Sequence, residues 1–381
     1  MKYKLSDLAE VGSSKRIYAK EYQASGIPFY RGKEIIAKSE GRKVENSLFI
    51  SEDRYNSLLK EYSVPKVNDI LISAVGTIGK IYLVNKDDVP FYFKDGNLIR
   101  IYNYNSKLVD PYYMYYLLKS KCGQNAIKEI EIGSTQKAIT IKEFSSIVFD
   151  IPSLKEQQGI SYIFKCFDDQ INSNSKINDN LLELLKSEFN HSVIDNNKKI
   201  PINKIFSVQS GFAFKSNDWS ITGKNVVKIK DIENNTVSLN NLSKVNNVIQ
   251  LKKAKKYYVT GGEIVIALTG ATLGKIGILP YNFEGYINQR VGLIYPKMSY
   301  TSVLGVLLQK EIRNKLISLG HGSAQPNLSP KAVNEMIVNI DIEACRKYDV
   351  AFSSLFKKVI YNLNENQVLT KLKMQLLDMY F

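Results

Sequence analysis

Two polar loops carry residue types suited to reading nucleic-acid bases: Gly133-Ser134-Thr135-Gln136-Lys137 and Gly322-Ser323-Ala324-Gln325-Pro326-Asn327. Gln and Asn present paired donor and acceptor groups that match the edge of adenine, and Ser and Thr reach bases or phosphates. Lys137 would add attraction to a phosphate backbone. The structural alternative is a polar loop that caps the next element, and the residues alone leave both open. Asn288-Gln289-Arg290 offers similar chemistry, although its surroundings also suit a strand. Basic and aromatic residues cluster in further segments: Lys15, Arg16, Tyr18 and Lys20; Tyr30, Arg31 and Lys33; Phe212, Phe214, Lys215 and Ser216; Lys228 and Lys230. Such clusters suit a phosphate backbone, while single surface lysines are commonly just solvated.

Catalytic constellations are missing. His191 and His321 are the only histidines, so a histidine metal cage or a histidine-based triad in each repeat is not available. His321 sits just before Gly322, where a functional and a plain turn role both stay open. No Asp or Glu is followed two positions later by Lys, which removes the acidic-x-lysine core of many metal-dependent nucleases. No Asn-Pro-Pro-aromatic run is present. Gly270-Ala-Thr-Leu-Gly-Lys275 has three residues between its glycines and no hydroxyl after the lysine, so it is not a phosphate-binding P-loop. With Gly76-Thr-Ile-Gly-Lys80 it reads as a tight turn presenting Lys80, or Thr272 and Lys275, at the surface.

The 381 residues hold 52 Lys and Arg against 37 Asp and Glu, a net charge of +15. A soluble chain this basic commonly meets a polyanion; a Lys-rich composition set by the coding sequence is the plainer reading. Cys122, Cys166 and Cys345 are scattered and odd in number, so neither a disulfide framework nor a zinc site is expected. A start of Met1-Lys-Tyr-Lys has no apolar signal core, and no apolar run approaches the ~20 residues that cross a bilayer. A cytoplasmic location with no membrane association is expected.

These segments recur. Gly133 and Gly322 stand 189 residues apart, as do Ile151 and Ile340. Asp69 to Ile81 lines up with Glu263 to Ile276, the second copy having one extra residue between its glycines. Ile27 to Ile35 resembles Asn225 to Ile232. A duplication that fills the chain implies two copies of one structural unit. Each copy begins with a mixed α/β part. Asp69 to Val84 reads as two β runs around Gly76 and Gly79. Lys107 to Lys121 reads as a helix capped by Asp110, with Pro111 in its first turn. Thr301 to Leu319 is its equivalent, closed by Gly320.

Each copy ends in a long helix. Ser153 to His191 has no proline, one glycine, and apolar residues mostly three and four apart. Asn172, Asn174, Asn178 and Asn180 weaken its helix propensity. Glu343 to Phe381 has neither Pro nor Gly. Two such seams are buried economically by antiparallel pairing as a coiled coil, about 50 Å long for ~35 residues. Each helix folding back on its own domain is the alternative.

The order of these pieces, with Ile151-Pro-Ser-Leu-Lys-Glu-Gln-Gln158 leading into a long helix, resembles the specificity subunits of type I restriction–modification systems. The resemblance spans essentially the whole chain. Two places depart from it: Asp341 to Cys345 where a second Pro-x-Leu-x-Glu-Gln element would fall, and Lys137-Ala-Ile where the second copy has Pro326-Asn-Leu. It implies two repeated mixed α/β (α+β) target-recognition domains, residues 1–152 and 197–341. A pseudo-two-fold antiparallel coiled coil, residues 153–196 and 342–381, would separate them. It implies that each domain reads half of an asymmetric, bipartite site in double-stranded DNA. The helices would set the spacing and dock two methyltransferase subunits, with restriction and translocase subunits joining them. The chain would be non-catalytic and bind no cofactor, leaving S-adenosylmethionine, ATP and magnesium to the partners. A coiled-coil scaffold without DNA, or an enzyme with unfamiliar motifs, would be the rival readings.

Overall fold

The hairpin expected over Asp69 to Val84 forms from strands Ile70–Ser73 and Ile81–Leu83, paired antiparallel with Ile72 opposite Ile81. Gly76 and Gly79 turn the chain at φ 75° and 76°, a region open to glycine because it lacks Cβ. The second copy repeats the hairpin as Ile264–Ala267 and Ile276–Ile278. Its extra residue is absorbed by a 3-10 turn over Gly270–Thr272. The strands Ile70–Ser73 and Ile264–Ala267 are buried at every position, hence their unbroken apolar runs.

The computed structural model describes residues 1–42, 44, 48–133, 137–320 and 327–381. It divides into two units, Met1–Asp169 with Thr370–Phe381, and Gln170–Leu369. In the first, an antiparallel four-stranded sheet runs in the order Glu10–Gly12, Leu98–Tyr102, Ile70–Ser73, Ile81–Leu83. A three-stranded sheet places Ile27–Tyr30 between Leu48–Ile50 and, parallel to it, Tyr92–Phe93. In the second, a six-stranded sheet is centred on Ile264–Ala267 and Ile276–Ile278, and a five-stranded sheet on Lys224–Val227. Among the described residues no helix is long and apolar enough to cross a membrane.

The helix expected over Lys107 to Lys121 is Pro111–Lys119, with Asp110 accepting the Tyr113 N–H at 2.8 Å. It stops early because Ser120 turns the chain and caps a further helix, Lys121–Glu129. Thr301 to Leu319 is likewise two helices, Tyr300–Leu307 and Lys310–Leu319. Gln309 marks the break; its buried amide donates to the carbonyls of Gly305 and Lys186, at 2.9 and 3.0 Å. Gly320 ends the second helix at φ −83°, outside the left-handed region. Its value is space: a Cβ there would lie 2.6 Å from a Leu273 methyl.

The long helices are Leu154–Ser192 and Ile342–Tyr380, 39 residues each. Both units take a share of each helix. In the first unit, Phe164 stacks near Tyr380 and Phe381, and Lys373 pairs with Asp168. In the second, Asn178 meets Asn362 and Asn174 meets Asn366. Early residues of one helix face late residues of the other, so the helices run antiparallel in each unit. Asn172 and Asn180 face solvent, whereas Asn174 and Asn178 are buried in the seam. Asn362 Nδ2 donates to Asn178 Oδ1 at 2.8 Å, and Asn178 Nδ2 to the Val359 carbonyl at 3.2 Å. Asn174 Nδ2 donates to Glu365 at 2.7 Å and Asn366 at 2.9 Å. Removing one partner strands a buried amide oxygen. Asn362→Leu should therefore lower the unfolding free energy by about 1–3 kcal/mol, read by urea denaturation. Asn178→Leu combined with Asn362→Leu should recover most of the loss, since an apolar pair at this layer leaves no orphaned amide there.

Candidate nucleic-acid interface

In the first unit, loops converge at the sheet end where Ile70–Ser73 finishes and Leu98–Tyr102 begins. Peptide groups hold them there. The Ala74 N–H donates to Asn97 O at 2.9 Å, and the Gly76 N–H to Lys137 O at 3.1 Å. The Lys94 N–H reaches Tyr30 O at 2.9 Å, which ties in the end of the three-stranded sheet. Ser13 and Ser14 hydroxyls donate to the carbonyls of Leu98 and Phe93, at 3.0 and 2.7 Å. The segments bearing Lys15, Arg16, Arg31, Lys33, Lys80 and Lys137 thus adjoin one rim. Tyr18 and Lys20 are exposed, on or next to the turn Ala19–Glu21, and nothing ties them to that rim.

Of these six cations, all but Lys15 pair with a carboxylate. Arg16 lies 3.0 Å from Asp95, Lys80 2.8 Å from Glu40, and Lys137 2.6 Å from Glu131. Arg31 and Lys33 lie 2.8 and 3.6 Å from Glu34. Lys15 places its ammonium 5.0 Å over the Tyr62 ring. Partial burial pushes the Glu40 carboxyl up, but hydrogen bonds from Lys80 and Arg42 outweigh it and hold the group below the usual range. Tyr30 is corrected from surface to core. It is 8% exposed, with its ring 5.0 Å from Phe91 and beneath Lys38. It ends its strand just before the helix Gly32–Ser39.

The second unit builds an equivalent rim. The Phe212 N–H donates to Ile287 O, and the Gln289 N–H returns to Phe212 O, at 2.8 and 2.9 Å. The Asn288 N–H reaches Val227 O at 3.0 Å, bringing in Lys228 and Lys230. The Leu268 N–H donates to Arg290 O at 2.9 Å, and Thr269 bridges to Asn327. This gathers Phe212, Lys215 and Ser216, the turn with Thr272 and Lys275, Asn288 to Arg290, and Asn327.

Their settings differ. Gln289, Arg290, Lys215, Ser216 and Asn327 are exposed; Thr272 and Lys275 are half-buried. Asn288 is buried, and its Oδ1 accepts the Arg290 N–H at 3.4 Å, so it shapes the turn. Phe212 packs on Phe214 and Tyr257, with centroids at 4.9 and 5.8 Å, and supports the loop. Lys228 holds its ammonium 3.3 Å from the centre of the Trp219 ring. Burial, then the nearby Lys230, lowers its proton affinity. Lys230 lies 3.1 Å from Asp231. Lys275 and Arg290 have no carboxylate partner among the described residues. Ser134, Thr135, Gln136, Ser323 and Gln325 lie outside the described residues, as does His321.

Sequence reading missed the carboxylates Glu40, Asp95 and Glu131, and the turn Lys94 to Asn97, whose Asp95-Gly96 pair was a usable turn signal. Among the described residues no group of three or more His, Cys, Asp or Glu is placed to hold a metal. The rims can therefore offer hydrogen bonds and charge.

The profile of the type I restriction modification DNA specificity domain matches residues 1–183 and again 194–369. The chain belongs to that family. It is 25% identical over 98% of its length to the specificity subunit of a type I restriction enzyme of Methanocaldococcus jannaschii, covering 90% of that protein. It is 31% identical over 170 residues to a Haemophilus influenzae chain assigned as a type I restriction enzyme specificity subunit; that match spans 44% of this chain and 40% of the relative. The crystal structure of a type I restriction-modification S subunit from M. genitalium shares the fold, with a TM-score of 0.52 at 20% identity, covering 100% of this chain and 96% of that one. As a specificity subunit, the chain has sequence recognition as its role, and the chemistry lies elsewhere. Tyr30→Phe should leave duplex affinity within about twofold, because the ring is in the core. Arg290→Ala should cost about 1–3 kcal/mol if it reads a base. Fluorescence anisotropy with labelled duplex checks both.

Proposed function

We propose that each unit reads one half of a split DNA site through its rim, and that the paired helices set the number of unread bases between the halves. The recognition domains are residues 1–152 and 197–341, and the helical segments 153–196 and 342–381. The observation carrying this is the repeated rim. Corresponding segments, such as Ala138 and Asn327, or Asp95 to Asn97 and Asn288 to Arg290, occupy the same sheet end in both units with different side chains. Equal scaffolds with unequal loops suit a bipartite, asymmetric site. Exposed apolar side chains on the long helices, including Ile177, Leu184, Val350 and Tyr361, offer surface for two methyltransferase subunits to cover. Restriction and translocase subunits complete the assembly in the cytoplasm. S-adenosylmethionine, ATP and magnesium then belong to those partners.

Long-read mapping of methylated adenines, in cells with and without this chain beside its methyltransferase, tests the reading. Loss of methylation at one split, asymmetric motif is expected when the chain is absent. Identical methylation in both strains would refute the role. Deleting about one heptad from each long helix should shorten the spacer of the methylated motif; an unchanged spacer would end the ruler role of the helices.

A further inference from the structure

The second unit holds 25 Lys and Arg against 15 Asp and Glu, the first 27 against 22. Much of that excess sits in one short stretch. Lys252, Lys253, Lys255 and Lys256 are all exposed, on the helix Val248–Lys253 and the 3-10 turn Lys255–Tyr257. None has a carboxylate partner among the described residues. A run of lysines is ordinarily a solvated face, but two features set this one apart. The first is its anchoring to the rim. Asn247, which caps the helix, donates to Asp218 Oδ1 at 3.0 Å, and Asp218 also accepts the Lys215 N–H at 2.7 Å. Tyr257 packs against Phe212, whose carbonyl holds Gln289. Ala254 is buried in the same aromatic cluster. The lysines thus stand on a rigid extension of the loops bearing Lys215 and Gln289. The second feature is contrast: the first unit's rim cations are mostly neutralised by carboxylates, whereas these four have no carboxylate partner among the described residues, and Lys256 alone has a ring contact, 4.9 Å from the centre of Tyr257.

We infer that Lys252, Lys253, Lys255 and Lys256 form a phosphate-contact surface that grips the duplex backbone beside the second half-site, independently of sequence. This rests on the DNA-reading role above. The grip is unequal: the second unit supplies most of the salt-sensitive attraction, and the first contributes mainly contacts already screened by its own carboxylates.

The test uses the full chain assembled with its methyltransferase subunits, and two labelled duplexes, one with the mapped motif and one scrambled. Affinity is measured across a series of KCl concentrations. Each released counterion contributes about 0.9 to the slope of log affinity against log salt. Replacing all four lysines with Gln should reduce that slope by about 3–4 and weaken both duplexes together, with the methylated motif unchanged. Replacing all four with Arg should restore the slope. Emission from Trp219, the single tryptophan, reports that the second unit remains folded. If the fourfold variant does not fold, K252Q/K253Q and K255Q/K256Q should each remove about half the effect. A slope equal to wild type in folded variants would overturn the inference and leave the DNA-reading role standing, as would a loss confined to one sequence. A wild-type complex with no duplex affinity would overturn both.

Discussion

The layer of asparagine amides between the two long helices is the constraint on which the rest depends. An apolar seam accepts several registers at similar cost. Buried amides do so less readily, because a slip of one turn can re-pair one asparagine couple, such as Asn178 with Asn366, but separates Asn362 and Asn174 from their present partners. In the second unit, Asn178 with Asn362 and Asn174 with Asn366 select one alignment. That alignment fixes where Leu185, Phe189, Tyr348 and Phe356 enter the core beside Val303 and Leu304. Gly305 shows how tightly the fit is drawn, since a Cβ there would lie 2.2 Å from the Phe189 ring. In the first unit the corresponding anchors are Phe164 and Leu377, packed with Tyr116. Each recognition unit therefore completes its core with its own stretch of both helices.

The two units share a plan yet solve one electrostatic problem differently. In the first, Arg100 is buried opposite Leu71, 3.4 Å from Asp69 and over the Tyr102 ring. Burial pushes the Asp69 carboxyl up, and its contacts with Arg100 and the Lys66 N–H oppose that. In the second, Leu293 stands opposite Val265 and Glu263 has no cation partner among the described residues; burial raises its carboxyl, opposed by local backbone N–H groups. The repeat thus preserves strand positions without preserving their charges. The same division appears at the rims, mostly ion-paired in the first unit and largely open in the second.

Much of this was legible in the residues, for identifiable reasons. Gly76, Gly79, Gly270 and Gly274 mark turns only glycine enters freely, and the runs beside them had to be strands. The long helices could be bounded closely because their apolar spacing persists and Pro is absent. The asparagines show where such reading stops. Propensity treats Asn174 and Asn172 alike, although one is buried in the seam and the other faces water. Gln309 broke a helix because its amide could reach a carbonyl on another element. Tyr30 was aromatic and near basic residues, which suits a surface as well as a core. The partners of Arg16, Lys80 and Lys137 were hidden for a similar reason: Asp95 and Glu40 lie tens of residues away in the chain, and nothing local distinguishes Glu131 from any exposed glutamate.

The way the rims are held explains how one scaffold can serve two different half-sites. Many of the contacts that fix these loops run between peptide groups, such as Gly76 to Lys137 and Leu268 to Arg290. A peptide hydrogen bond is nearly indifferent to the side chain beside it, so Lys137 or Gln289 can change without releasing the loop. In the second unit, Asn288 and Phe212, two side chains that shape the rim, point inward and are distinct from the exposed Gln289 and Arg290. The atoms that hold the loops are thus distinct from those the proposed reading would use. A duplicated chain built this way can alter what one unit reads while leaving its core, its helices and the other unit's rim as they were.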